Sequence, residues 1–236
     1  MNERREVTPS SQDESADDFS MFRLDIAVSH RLGPGEPEDE YITTIHGTIR
    51  QVDSDGNEAS VAGHVTAYLV DLARASEEEG LSLAEVLDLD LFTSSYARGL
   101  LGSDGELRED IVDQVGFVER ILILDDTQVL PAFRGHGLGM WADYRILDTF
   151  ALQGVLAVEQ PVPIQFSPRG AGKSGEEMGV ADLPQDRAAA YEKVASYWAR
   201  MGYDKVWQEG DEQIWILNPT TVKPDRRDVL GTHYDL

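Results

Sequence analysis

Val129-Leu130-Pro131-Ala132-Phe133-Arg134-Gly135-His136-Gly137-Leu138-Gly139 runs directly into Met140-Trp141-Ala142-Asp143-Tyr144-Arg145-Ile146-Leu147-Asp148-Thr149-Phe150. Just upstream, Ile121-Leu122-Ile123-Leu124 is an apolar run of the kind a buried strand uses. The residues after Gly139 have helical spacing and stop at Gly154. The order is therefore strand, glycine-rich turn, helix. Glycine lets a backbone approach a ligand closely. The first turn of a helix carries unpaired N–H groups and a partial positive charge. A strand feeding such a turn predicts a phosphate-binding pocket. The competing reading is a strand-to-helix bend that needs glycine only for its shape.

The glycine spacing decides which ligand is expected. A dinucleotide loop needs G-x-G-x-x-G, whereas here Arg134 precedes Gly135, Gly137 and Gly139 as R-x-x-G-x-G, with Pro131 three residues upstream. This arrangement resembles the pyrophosphate loop of the GNAT superfamily of N-acetyltransferases. The resemblance implies an α/β (α+β) fold with a mixed, mostly antiparallel central sheet, flanking helices and two strands splayed at the cofactor site. It implies acetyl-CoA (CoA) as cofactor, held by Val129, Leu130, Arg134, Gly135, His136, Gly137, Leu138, Gly139 and Met140. On the same basis the pantetheine arm pairs with backbone near Gln128 to Leu130, and an N–H near Val129 polarises the thioester carbonyl.

A second segment agrees. Asp186 to Tyr203 starts after Pro184, stops at Gly202, and puts Tyr191, Val194, Trp198 and Met201 on one helical face. Strands are expected around Lys205 to Gln208 and Gln213 to Leu217, joined at Gly210-Asp211. Tyr197-Trp198-Ala199-Arg200-Met201-Gly202-Tyr203 is similar to the end of the GNAT C-terminal helix. That family often has a tyrosine four residues before the glycine, as proton donor to the CoA thiolate. Trp198 stands there in this chain, and an indole supplies no acidic proton. Tyr197, about 100° around the helix, or Tyr191 takes the role, or water does, or no such catalysis occurs. Glu119, in strand parity with Ile121 and Ile123, is the candidate general base. Asp125 and Asp126 cap the strand end or line the path of a cationic acceptor. The resemblance thus implies transfer of an acetyl group to a primary amine by direct attack.

Composition bounds this reading. The chain has 236 residues and no cysteine, which removes disulfides, cysteine metal sites and thiol nucleophiles. No apolar run approaches the ~20 residues of a membrane span, and no signal sequence is legible, so a soluble, cytoplasmic protein is expected. Net charge is −24, from 44 acidic and 20 basic residues. Such a surface disfavours nucleic acid and favours cationic partners, a small amine or a basic peptide. Four of the basic residues are lysine, a skew that fits a GC-rich or salt-adapted source equally well. Arg134, Arg145, Arg169 and Lys173 are candidates for offsetting the charge of CoA. Two further classes remain open. One is a GNAT-like module that binds CoA or acyl-CoA without transfer. The other is an acidic interaction protein that has lost the cofactor. A homodimer is compatible with all of these.

The organisation expected is an acidic disordered tail over 1–20, one domain over 21–218, and a C-terminal tail over 219–236. Phe22 to Leu32 reads as a strand, and Gly33 to Pro37 as a loop. Tyr41 to Val52 and Val61 to Leu72 form a hairpin about Asp53-Ser54-Asp55-Gly56-Asn57. Leu81 to Leu101 and Glu106 to Val115 are helical, with Ser82 and Glu85 as a capping box. Helices over 81–115 are thus an insertion, because GNAT chains usually place theirs between the first two strands. His46 and His64 lie nearly symmetrically about the Asp55-Gly56 turn, facing each other or one register apart, with no third metal ligand at a suitable spacing. No metal is expected. Gly170-Ala171-Gly172-Lys173-Ser174 imitates the end of a P-loop but has Ser167 where the first glycine belongs, so it reads as a flexible loop beside the site.

Overall fold

This computed structural model describes residues 22–30, 40–53, 55–88, 94–167, 170 and 172–218. Both expected tails, the Gly33 to Pro37 loop, Arg169 and Ala171 lie outside them.

Seven strands form one sheet in the order β1-β2-β3-β4-β5-β7-β6. They are β1 Phe22–Ser29, β2 Ile42–Val52, β3 Glu58–Asp71, β4 Arg120–Val129, β5 Val155–Glu159, β6 Asp204–Glu209 and β7 Glu212–Leu217. Among the described residues only β4 and β5 pair in parallel; every other pair is antiparallel. Parallel neighbours need a crossover. It is supplied by the glycine turn and by helix α5, Leu138–Phe150. The fold is therefore a mostly antiparallel α+β sheet with flanking helices, as expected from the sequence.

The central strand β4 explains the layering. Leu122 and Leu124 face a core with Ile146 and Leu147 of α5 and Trp198 of α7, Arg187–Arg200. Ile121 and Ile123 face the opposite core. That core is closed by α1 Leu72–Glu79, α2 Leu83–Asp88, α3 Ser94–Leu100 and α4 Glu109–Val115. A strand buried on both faces reads as an unbroken apolar run, which is why Ile121 to Leu124 was conspicuous. Full burial of each such side chain is worth about 1.5–3 kcal/mol.

Helices α1 to α4 lie between β3 and β4. Helix α1 is capped by the Asp71 carboxylate, which accepts from the Arg74 N–H at 3.1 Å, and ends at Gly80 with φ 68°. Its Glu77-Glu78-Glu79 end opposes the helix dipole, so the sequence signal was weak. The Ser82–Glu85 capping box forms, with the Ser82 N–H and hydroxyl both donating to Glu85 at 2.8 and 2.7 Å. Helix α3 docks at Gly99, where a Cβ would lie 2.2 Å from Ile214 of β7.

The hairpin is correct, but the histidine register is not. His46 sits opposite Thr66 and His64 opposite Thr48, so the two are two residues out of register rather than facing or one apart. The cause is a pair of irregularities, between Ile49 and Arg50 and between Gln51 and Val52, that add residues to β3 such as Ala62. Both imidazoles are exposed. Among the described residues no group of three or more His, Asp or Glu side chains could hold a metal ion. Gly63 is a close approach: a Cβ there would lie 2.3 Å from the Gln128 carbonyl oxygen of β4. No helix of the described residues is long and apolar enough to cross a membrane.

Candidate functional site

Strands β4 and β5 pair from Arg120–Val155 to Leu124–Glu159, and no further. Asp125 to Val129 continue on β4 while the chain after Glu159 turns away through Pro161 and Pro163. Proline cannot donate to a ladder, so the pairing ends there. The gap opens into a cavity of about 1130 Å³ between the ends of β4 and β5, the start of α5 and one face of α7.

A bulge sets which side chains enter it. Thr66 pairs with Asp126 and Ala67 with Leu124, leaving Asp125 as an extra residue on β4. Before it, even-numbered residues face α5; beyond it, Thr127 and Val129 do. A bulge flips the alternation of a strand in this way. Asp126 and Gln128 are left on the other side, where the Gln128 amide donates to Asp126 at 2.7 Å.

The glycine turn borders the cavity. Leu130 is followed by a short 3-10 turn, Pro131–Phe133. Gly135 and Gly137 have φ of 85° and 71°, a region that L side chains rarely enter. Gly137 is the N-cap of α5, and no side chain caps that helix. The first N–H groups of α5, at Leu138, Gly139 and Met140, are therefore left for a partner at the cavity wall. At Gly139 a Cβ would already touch Thr127 at 3.4 Å, so α5 sits tightly on β4.

Seven of the nine expected cofactor residues border the cavity: Val129, Arg134, Gly135, Gly137, Leu138, Gly139 and Met140. Leu130 and His136 do not. The Leu130 N–H is used by the Ala62 carbonyl at 2.8 Å, and His136 is exposed beside the Phe133 carbonyl. Arg134 borders the cavity but is committed to the backbone. Its guanidinium donates to the Val129 carbonyl at 2.9 Å and to the Met178 carbonyl at 2.5 Å. It ties the end of β4 to the segment after helix α6, Gly172–Glu177. The run expected as a flexible loop thus contains a short helix. Gly175 makes it possible, packing where a Cβ would lie 2.0 Å from the Gly170 carbonyl.

Of the cationic candidates, Arg145 pairs with Asp148 on α5, and neither it nor Lys173 borders the cavity. Lys193 and Arg200 of α7 do, and the sequence reading missed both.

Two of the three catalytic candidates lie away from the cavity. Glu119 precedes β4 at the end away from the cavity. Its carbonyl accepts from the Leu72 and Ala73 N–H groups, and its side chain lies against Gly154. Five strand residues at ~3.3 Å each separate it from the splay, so strand parity was satisfied at the wrong height. Tyr191 stacks on Phe166, with centroids 6.3 Å apart, and is not part of the wall. Tyr197 is at the wall, while Trp198 is buried in the core against Tyr203. The one-residue offset between them separates a cavity position from a core position.

Tyr197 leads to the group that the sequence reading missed. Its hydroxyl donates to Asp143 of α5, and the Thr127 hydroxyl donates to the same carboxylate at 2.5 Å. Asp143 is fully buried. Burial pushes its carboxyl up to about 6, against the two hydroxyls, which favour the charged form. Burial also raises the Tyr197 hydroxyl well above its usual range, with the Asp143 charge adding to it. Glu159, at the apex of the splay, is 6% exposed and reaches the same cavity. An acid on the apolar stripe of α5, four residues after Gly139, was the available signal. Tyr96 also borders the cavity, so the inserted helices contribute to its wall from the α3 side.

The arrangement offers unpaired helix N–H groups and two cations at one side, and carboxylates with a tyrosine at the apex. No protein family, curated protein or solved structure matches the chain.

Proposed function

We propose that this protein is an acetyl-CoA-dependent N-acetyltransferase of the GNAT type, acting on a primary amine. The observation that carries the reading is the opening beyond the Leu124–Glu159 pair, faced by the uncapped start of α5. A polar, anionic ligand is favoured by free helix N–H groups. Leu138, Gly139 and Met140 would hold the pyrophosphate, with Lys193 and Arg200 supplying charge. The stretch of β4 beyond its last rung with β5, from Asp125 to Val129, would meet the pantetheine amides. Acetyl-CoA supplies an acetyl group activated as a thioester. The chain's own part is to orient an amine in the cavity, exclude water, and move one proton.

Carboxylates at Asp125, Asp126 and Glu159 make the apex attractive to a cationic acceptor. Positioning supplies much of the rate in a direct attack, and Tyr197 provides a hydroxyl at the wall where Trp198 cannot.

The test is a thermal-shift titration with acetyl-CoA, CoA and ATP. A ligand that binds only the folded state at a hundred times its Kd stabilises by about 2.7 kcal/mol. A saturable rise in Tm with both CoA species and none with ATP is expected, followed by amine-dependent release of free thiol. A shift without thiol release across a panel of amines would favour a binding module. No shift at all overturns the reading.

A further inference from the structure

We infer that Asp143 and Tyr197, steadied by Thr127, form a two-way proton relay for the acetyl transfer proposed above, on which the inference rests. Asp143 is the positioning residue: it stores the proton that Tyr197 takes from the amine and returns to the leaving sulfur.

The geometry is specific. Asp143 is fully buried, and its two oxygens are taken one each, by the Thr127 hydroxyl and by the Tyr197 hydroxyl. The groups around it are Thr127 on β4, Tyr197 on α7, and Glu159 and Tyr203 beside them, while Asp126 on the other side of β4 acts on it through its charge. None of these is a cation. A buried carboxylate without a countercharge is costly, and asparagine or leucine would serve packing alone. Tyr197 belongs both to this cluster and to the cavity wall, as Thr127 does, and its hydroxyl offers a route from the carboxylate to the cavity.

Hydrogen-bond direction then links the two groups. A tyrosine hydroxyl has one proton. While Asp143 is ionised, that proton is given to Asp143, and the Tyr197 oxygen has only lone pairs to offer the cavity. Tyr197 is then a proton acceptor. Once Asp143 is protonated it donates to Tyr197, whose own proton becomes available to the cavity, and Tyr197 is a donor.

Acetyl transfer needs both states in order. As the C–N bond forms, the amine nitrogen loses a proton to the Tyr197 oxygen, and the Tyr197 proton passes to Asp143. As the C–S bond breaks, Asp143 returns its proton to Tyr197, and Tyr197 gives one to the thiolate. One proton moves from nitrogen to sulfur and the pair is restored. The elevated carboxyl of Asp143, near 6, suits a group that must take and release a proton near neutral pH.

The test compares the full chain with Asp143→Asn, Thr127→Val and Tyr197→Phe. For the native chain, kcat is expected to fall as pH drops through about 6, because a protonated Asp143 cannot accept. Asp143→Asn should lower kcat by roughly 10² or more, abolish that acid limb, and leave the KM for acetyl-CoA within about threefold. Thr127→Val removes a donor that favours the charged carboxylate, so its limb should move to higher pH. Independently of turnover, the infrared difference between native protein and Asp143→Asn should contain a carboxylic-acid carbonyl band that disappears on titration from about pH 5 to pH 8, and Tyr197→Phe should retain it. If Asp143→Asn keeps both kcat and the limb, the relay is overturned and acetyl transfer stands. If Asp143→Asn does not fold, an unmoved limb in Thr127→Val overturns the relay. If the native chain neither binds acetyl-CoA nor acetylates any amine, both readings fall.

Discussion

Leu124 of β4 stands opposite Glu159 of β5, and this is the last rung at which the two parallel strands pair. On one side of the rung lies a core of Ile121 to Leu124 against both layers of helices; on the other lies the cavity. The contrast between packed ladder and open edge places an acid, Glu159, and a bulge, Asp125, at the same height.

Gly137 caps α5 with φ 71° at the cavity wall. A left-handed conformation costs an L-residue roughly 1–2 kcal/mol, and an indole there would occupy the space before the first N–H groups. Gly137→Trp is expected to stay folded, with a modestly lower Tm, and to lose the acetyl-CoA-dependent thermal shift. A retained shift would place the pyrophosphate elsewhere.

Arg134 joins the Val129 and Met178 carbonyls. Arg134→Ala leaves both acceptors without this donor. Loss of hydrogen bonds from a charged donor costs about 1.5–3 kcal/mol each. Chemical denaturation should report destabilisation on that order, and hydrogen exchange should rise over 172–179 more than in β4.

Gly63 lies against β4 so closely that a Cβ would come within 2.3 Å of the Gln128 carbonyl. Gly63→Ala must push the strands apart at the end of the β4 stretch that borders the cavity. Overpacking of this kind typically costs about 1–3 kcal/mol. A lower denaturation midpoint together with weaker acetyl-CoA binding is expected; Gly56→Ala, whose Cβ would meet nothing within 4 Å, should lower stability through its φ of 80° alone and leave binding unchanged.

Glu119 lies at the far end of β4 from the cavity. Glu119→Gln is therefore expected to retain kcat and its pH profile. A loss of the basic form in that profile would return Glu119 to the role its strand parity suggested.

Asp143 also makes stability depend on pH. Its folded-state carboxyl is raised to about 6 from 3.8, so between these values the folded chain holds a proton that the unfolded chain has lost. Stability is favoured below this window and falls as pH rises through it. The total is on the order of 3 kcal/mol, at 1.36 kcal/mol per pH unit. The Tm of native protein minus that of Asp143→Asn should therefore decrease from pH 4 to pH 6 and level off above. A difference independent of pH would mean that Asp143 is ionised throughout.

Much of the fold was legible in the chain itself. The run Ile121 to Leu124, the Asp55-Gly56 turn, the Ser82–Glu85 cap and the stop at Gly202 each carry a local physical reason that survives out of context. The glycine spacing from Arg134 to Gly139 likewise marked the turn that borders the cavity. What the sequence left undecided depends on distances between segments far apart in the chain. Period-two parity carries no height along β4 for Glu119, and bulges at Asp125 and Ala62 shift register without a composition signal. Tyr197 and Tyr191 were equivalent on paper, and only the docking of α7 on the sheet separates them. Asp143 and Tyr197 are 54 residues apart and meet because α5 and α7 share one face of the sheet. Local conformation is fixed by neighbours along the chain, whereas a buried carboxylate and the hydroxyls that satisfy it are brought together only by packing.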